Sequence, residues 1–197
     1  MSRIFFTLTL TAAVAFAAEP PEVPEVPEVP AGFVIETVCE GLDAAVTMDV
    51  ARDGRVFFTE QLGAVRVIEK GKLLDEPFVR VEADDYFERG VEGIALHPNF
   101  PAEPFVYVHY VRKQPHPAHV ISRLTAAGPT FNTAQAGSEL VMSEGENQDK
   151  RIGKARGAHQ GGAMRVGADG KLYATIGEHT TREPSQAMDS RSSPTTD

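Results

Sequence analysis

The chain has 197 residues, 42% hydrophobic and 24% charged, which is the balance of a soluble globular protein rather than a disordered chain or a multi-span membrane protein. Lysine plus arginine number 19 against 28 acids, a net charge of −9, so a phosphate backbone is a poor partner and nucleic-acid binding is disfavoured. A single cysteine, Cys39, excludes an internal disulfide, a CxxCH haem site and a Cys-rich zinc cluster.

Residues 1–17 read as a secretory signal. Arg3 gives the positive start, Ile4 to Phe16 are apolar apart from threonines, and Ala15-Phe16-Ala17 supplies small residues for cleavage. A buried N-terminal strand or helix is the alternative. Residues 18–30 carry a Pro-Glu-Val repeat that cannot form helix and is expected to be an extended spacer, either a stalk or a plain leader.

From Phe33 onward the sequence predicts short strands and almost no helix. Phe33 to Val38 is apolar and β-branched. Val46 to Val50 leads through Asp53-Gly54, expected as a two-residue hairpin loop, into Arg55 to Glu60. Ala64 to Glu69 alternates apolar with polar, Lys70-Gly71-Lys72 turns the chain, and Pro77 to Val81 is a short strand. Phe105 to Val111 is the strongest strand signal; Val120 to Leu124 and Glu139 to Met142 follow. Ala163 to Val166, Asp169-Gly170 and Lys171 to Ile176 repeat the grammar of residues 53–59. Repeated units of three or four strands suggest propeller blades, with a β-sandwich as the alternative.

Three stretches carry more than periodicity. They are residues 54–68, residues 88–110 (Glu88-Arg89-Gly90-Val91-Glu92-Gly93-Ile94-Ala95-Leu96-His97-Pro98-Asn99-Phe100 and the following strand), and residues 159–178 (His159-Gln160-Gly161-Gly162 through Ile176-Gly177-Glu178). In order and spacing they resemble the glucose/sorbosone dehydrogenases, soluble quinoprotein sugar dehydrogenases that use pyrroloquinoline quinone (PQQ). The resemblance implies an all-β, six-bladed β-propeller, of which residues 31–178 would make about three blades. It also implies oxidation of an aldose at its anomeric carbon, with hydride passing to PQQ and calcium polarising the quinone.

By that resemblance His159 is the proton-accepting histidine. An imidazole with a pKa of about 6.5 suits the task; a plain loop histidine is the alternative. Gly161 and Gly162 would let backbone approach a flat cofactor. Glu178 stands where the family has an acid able to orient the imidazole, or is an exposed strand-end acid. Ala158 replaces a polar residue common before the histidine. Glu88 and Arg89 fall at the sugar and quinone rim, with Gln160 and Gly161 beside it; Glu88 would bind a sugar hydroxyl and Arg89 face the acidic quinone, unless both lie in a solvated loop. Glu92 occupies a usually apolar position and has no functional account. His97 and His109 are assigned to structure, residues 97–100 forming a turn with Phe100 packed. No HExxH spacing, phosphate loop or GxSxG elbow is present, and no metal ligand is assigned.

The family's main PQQ ligands and calcium-binding carbonyls lie in later blades, with no counterpart here. Residues 179–197 are polar and expected to be a disordered tail. Six blades need about 300 residues, against 148 from Ala31 to Glu178. The expectation is therefore the N-terminal part of a longer exported sugar dehydrogenase, itself inactive alone. Its partners would be a sugar and an electron acceptor. The alternative is a noncatalytic secreted propeller that binds carbohydrate or protein.

Overall fold

The computed structural model describes residues 29–115, 117–144 and 158–177. The signal, most of the spacer, Glu178 and the polar tail therefore lie outside the described residues. The chain divides into two units, Met1–Glu36 and Thr37–Asp197. In the first, the Phe33 N–H donates to the Pro30 carbonyl at 3.1 Å. Among the described residues there is no helix, and none long and apolar enough to cross a membrane.

The described strands form three successive antiparallel sheets. The first is β1 (Ala45–Val50), β2 (Val56–Glu60), β3 (Ala64–Glu69) and β4 (Lys72–Leu73) in chain order, with β5 (Val79–Arg80) also pairing β3. The second runs β6 (Val91–Leu96), β7 (Phe105–Arg112), β8 (Ala118–Ala127) and β10 (Leu140–Glu144), with β9 (Thr133–Ala134) on the side of β8. The third pairs β11 (Gly161–Val166) with β12 (Leu172–Ile176). The first two are up-and-down meanders, as expected of blades, the third is described as a hairpin, and no described sheet closes on itself.

Two expectations need correction. Residues 33–38 form no strand; Phe33 and Val34 are 70% and 81% exposed. Their β-branched composition is a preference for a pleated, half-buried surface, and among the described residues no strand pairs with them to create one. The Asp-Gly turns are also longer than two residues. The Gly54 N–H donates to the Ala51 carbonyl and the Ala51 N–H to the Arg55 carbonyl, both at 2.9 Å. This is a three-residue loop whose last residue, Gly54, takes φ +88°. Gly167, Gly170 and Lys171 reproduce the same pair of bonds in the third sheet at 2.8 and 2.9 Å. In both, the aspartate accepts from the amide two residues on, Asp53 from Arg55 at 3.2 Å and Asp169 from Lys171 at 3.1 Å.

The core lies between the first two sheets. Phe57 of β2 packs edge-on against Phe78 at 5.6 Å and Phe100 at 5.3 Å. Val65 and Val67 of β3, Ile94 of β6 and Val106 and Val108 of β7 complete it, none more than 1% exposed. Phe100 is thus packed as expected. Buried Arg55 ties the sheets together: it pairs with Asp53 at 2.7 Å, donates to the Thr130 carbonyl at 2.7 Å, and lies over the rings of Phe57 and Phe100.

Strand β6 is buried at every residue and packs against β1, β2 and β11. Sequence reading did not separate it as a strand, because a fully buried run does not alternate and this one contains Glu92 and Gly93.

Candidate functional site

The loop before β6 is pinned from several sides. The Tyr86 N–H donates to Asp84 Oδ1 at 3.0 Å, and Arg89 Nη1 donates to Asp84 Oδ2 at 2.8 Å. The guanidinium lies over the Tyr86 ring at 5.5 Å. Arg89 is buried, so its charge is held by Asp84 rather than offered to an open rim. From the first sheet, Gln61 Nε2 donates to the carbonyls of Phe87 at 2.6 Å and Arg89 at 2.9 Å. A side chain at Gly90, which has φ +152°, would meet the Gln61 carbonyl oxygen at 2.4 Å. Glu88 projects, exposed, from between the two carbonyls that Gln61 holds. Asp84 and Gln61 were missed from sequence as positioning residues; Asp84 lies outside the three stretches, Gln61 has no distinguishing role within the first, and their partners are mostly backbone groups.

The third sheet brings His159 to this loop. The His159 N–H donates to Glu88 Oε2 at 2.5 Å, across 71 residues of sequence. His159 is exposed, in the left-handed region at φ +57°. Gln160 is buried and its Nε2 donates to the Ala158 carbonyl at 2.9 Å. The structure joins His159 to Glu88, with Gln160 next to His159 bonded to Ala158 and Arg89 beside Glu88 bonded to Asp84. Glu178 falls outside the described residues.

Glycines make this approach possible. A Cβ at Gly93 would lie 2.0 Å from the Gly162 carbonyl oxygen, and one at Gly162 would lie 2.4 Å from the Glu92 Cβ. At Gly161 it would meet the Gly177 nitrogen at 2.5 Å, and at Gly177 the His159 oxygen at 1.8 Å. The close neighbours at Gly161 and Gly162 are thus protein. The space where their side chains would stand is taken by β6 and the end of β12.

Behind Gly162, Glu92 is buried, and burial pushes its carboxyl up to about 8, with Arg89 opposing and Glu88 reinforcing the shift. It points toward buried His109 and His119.

Successive antiparallel meanders packed face to face, with a histidine-bearing turn docked on the neighbouring sheet, define a β-propeller-type protein. The profile of the glucose/sorbosone dehydrogenase family matches residues 42–194, and the chain belongs to that family. Among solved structures it is similar to a glucose dehydrogenase-type oxidoreductase from Thermus thermophilus. That likeness has 29% identity and a TM-score of 0.64, over 77% of this chain and 43% of that one. The PQQ-bound aldose sugar dehydrogenase of Streptomyces coelicolor shares the fold at 20% identity, with a TM-score of 0.63 over 82% of this chain and 45% of that one. The chain is also similar to human Hedgehog-interacting protein, 27% identical over 74% of this chain and 22% of that protein. It therefore spans under half the length of these solved relatives and about a fifth of the curated one.

Proposed function

We propose that this chain supplies the histidine-bearing part of a site that oxidises an aldose at its anomeric carbon, in an exported protein. The observation that carries the reading is the bond from the His159 amide to Glu88, which joins the two most specific sequence motifs at one exposed place. His159 accepts the proton of the anomeric hydroxyl, and the Glu88 carboxylate accepts a hydrogen bond from a neighbouring sugar hydroxyl. Glu178 orients the imidazole. Arg89, through Asp84, holds the Glu88 loop in place.

PQQ, with calcium, is the hydride acceptor of the complete family protein. It is a tricarboxylate and calls for cations. Among the described residues of this site Arg89 is the cation, and its charge is committed to Asp84. The residues in hand suit a sugar better than the quinone, so no step is assigned through PQQ here.

The test is dye reduction by the longest natural protein carrying this sequence, supplied with PQQ and calcium and offered a panel of aldoses. Reduction should fall by about 10²-fold or more in His159→Ala. No reduction by the parent, or an unchanged variant, would overturn the reading.

The likeness to Hedgehog-interacting protein favours a second reading, a secreted propeller that binds carbohydrate or protein without turnover. In that case dye reduction is absent while binding of a sugar or of a protein is retained.

A further inference from the structure

We propose that Glu92, His109 and His119 form a binding site for a divalent transition-metal ion of the zinc class, separate from the sugar-facing site.

The three side chains come from adjacent strands of one sheet. Gly93 pairs with His109 across β6 and β7, and Val111 pairs with His119 across β7 and β8. The register shifts between Val91 and Gly93, so Glu92 sits in a β-bulge. Bulges re-aim a side chain, and this one accounts for a carboxylate turned into a sheet interior. Sequence analysis had no role for Glu92 and gave His109 to structure because the ligand spacing, 92, 109 and 119, follows strand pairing rather than a local motif.

Three donor atoms converge. His109 Nε2 and His119 Nδ1 share a hydrogen bond at 2.9 Å, whose proton a metal ion would displace, and Glu92 Oε2 lies 3.5 Å from His119 Nδ1 and 3.9 Å from His109 Nε2. The circle through three points so spaced has a radius of about 2.0 Å. That radius is the bond length of zinc to imidazole nitrogen and carboxylate oxygen, about 2.0–2.2 Å. An ion near that centre would reach all three donors, with small side-chain shifts lifting it out of their plane to admit the fourth ligand that tetrahedral zinc takes. Hydrogen bonding alone serves the carboxylate poorly. At 3.5 and 3.9 Å both imidazoles are outside good hydrogen-bond distance. Among the described residues neither Glu92 oxygen has a hydrogen-bond partner, and the side chain is 4% exposed. Two imidazoles and one carboxylate select zinc and its transition-metal neighbours over calcium or magnesium, which take oxygen donors.

Because ligands on β6, β7 and β8 are drawn to one point directly behind Gly162, the ion would clamp the second sheet where the third docks. Its predicted effect is structural.

The experiment uses the 197-residue chain without a polyhistidine tag, stripped with a chelator and then dialysed against zinc. Elemental analysis should find one zinc per chain, and thermal unfolding should rise by at least about 5 °C. Cobalt in place of zinc should give a visible d–d absorption band. Glu92→Gln, which keeps the side-chain volume, and His119→Asn should each lose the bound ion and the thermal gain. His97→Ala, whose Nδ1 accepts from the Asn99 amide on the surface, should retain both. The proposal is overturned if no zinc is retained or if Glu92→Gln binds as the parent does. It is equally overturned if the chain's far-UV spectrum and melting are the same with and without zinc, folded or unfolded.

Discussion

A hydrogen atom in place of a methyl group decides how closely two sheets meet. Alanine at Gly93 would place its Cβ 2.0 Å from a backbone oxygen that belongs to another strand. Backbone cannot step aside as a flexible side chain can, so Gly93→Ala should destabilise the protein by about 3 kcal/mol, the upper end of ordinary overpacking. Gly54→Ala meets nothing within 4 Å and carries only the cost of a left-handed φ, about 1–2 kcal/mol. Urea unfolding of the two variants side by side measures the difference; equal losses would contradict the packing account.

Charge acts at the same scale. Hydrogen bonds from Arg55 hold the Asp53 carboxyl below its ordinary value of 3.8. A depressed carboxylate contributes stability that is present above the unfolded value and lost as pH falls through the folded one. The parent should therefore be more stable than Asp53→Asn near neutrality, and that advantage should begin to shrink only as pH falls below about 3.8, toward the lowered folded value. Paired thermal melts from pH 7 to pH 3 read it directly. An advantage that is undiminished between pH 7 and pH 3 would mean the carboxylate's charge is not what matters.

Strands were legible in proportion to how much they alternate. β3 was readable to its ends, since Ala64 to Glu69 puts polar Arg66 and Glu69 among buried residues. β6 was not, because burial on both faces removes the period and leaves Glu92 and Gly93 as apparent breakers. The segment 33–38 failed in the opposite sense: it has the composition of a strand and no partner. The repeated Asp-Gly grammar did predict both hairpins, although the loop type differs by one residue. Arg55, the first residue after one of these turns, ties its hairpin to the loop at 130–132 through the Thr130 carbonyl and Asn132 Oδ1. Arg55→Ala removes charge-assisted bonds and leaves buried acceptors behind, a loss of about 2–3 kcal/mol. Arg55→Lys should recover only part of it, since one ammonium cannot span Asp53, Thr130 and Asn132 together. Full recovery by lysine in chemical denaturation would show that charge alone suffices.

At the scale of the molecule, the motifs identified the family while composition alone could not have done so. An acidic, cysteine-poor chain fits many folds; Glu88-Arg89-Gly90 and His159-Gln160-Gly161-Gly162, in that order, fit few. What the motifs hid was the pairing between them. Which Glu88 atom meets which His159 atom depends on how one sheet seats on the next, and residue spacing holds no record of that. The commitment of Arg89 to Asp84 was hidden for the same reason. It leads to an expectation for the chain as a whole: titrated with PQQ and calcium, the 197-residue protein should show weak or no binding and no turnover. A stoichiometric, calcium-dependent titration would show that cations enough for the cofactor are present after all.

The bond between Glu88 and the His159 amide also sets a clock. Its two ends are 71 residues apart, and a ribosome adds about 5–20 residues per second. The acid loop therefore waits roughly 4 to 14 seconds for its histidine to be made. The second sheet is made within that interval, and until it ends β6 lacks β11 on the side where Gly162 comes against Glu92 and Gly93. The strand's core residues Val91, Ile94 and Leu96 pack with the first sheet, so what the arriving glycine-lined turn covers is the Glu92–Gly93 bulge.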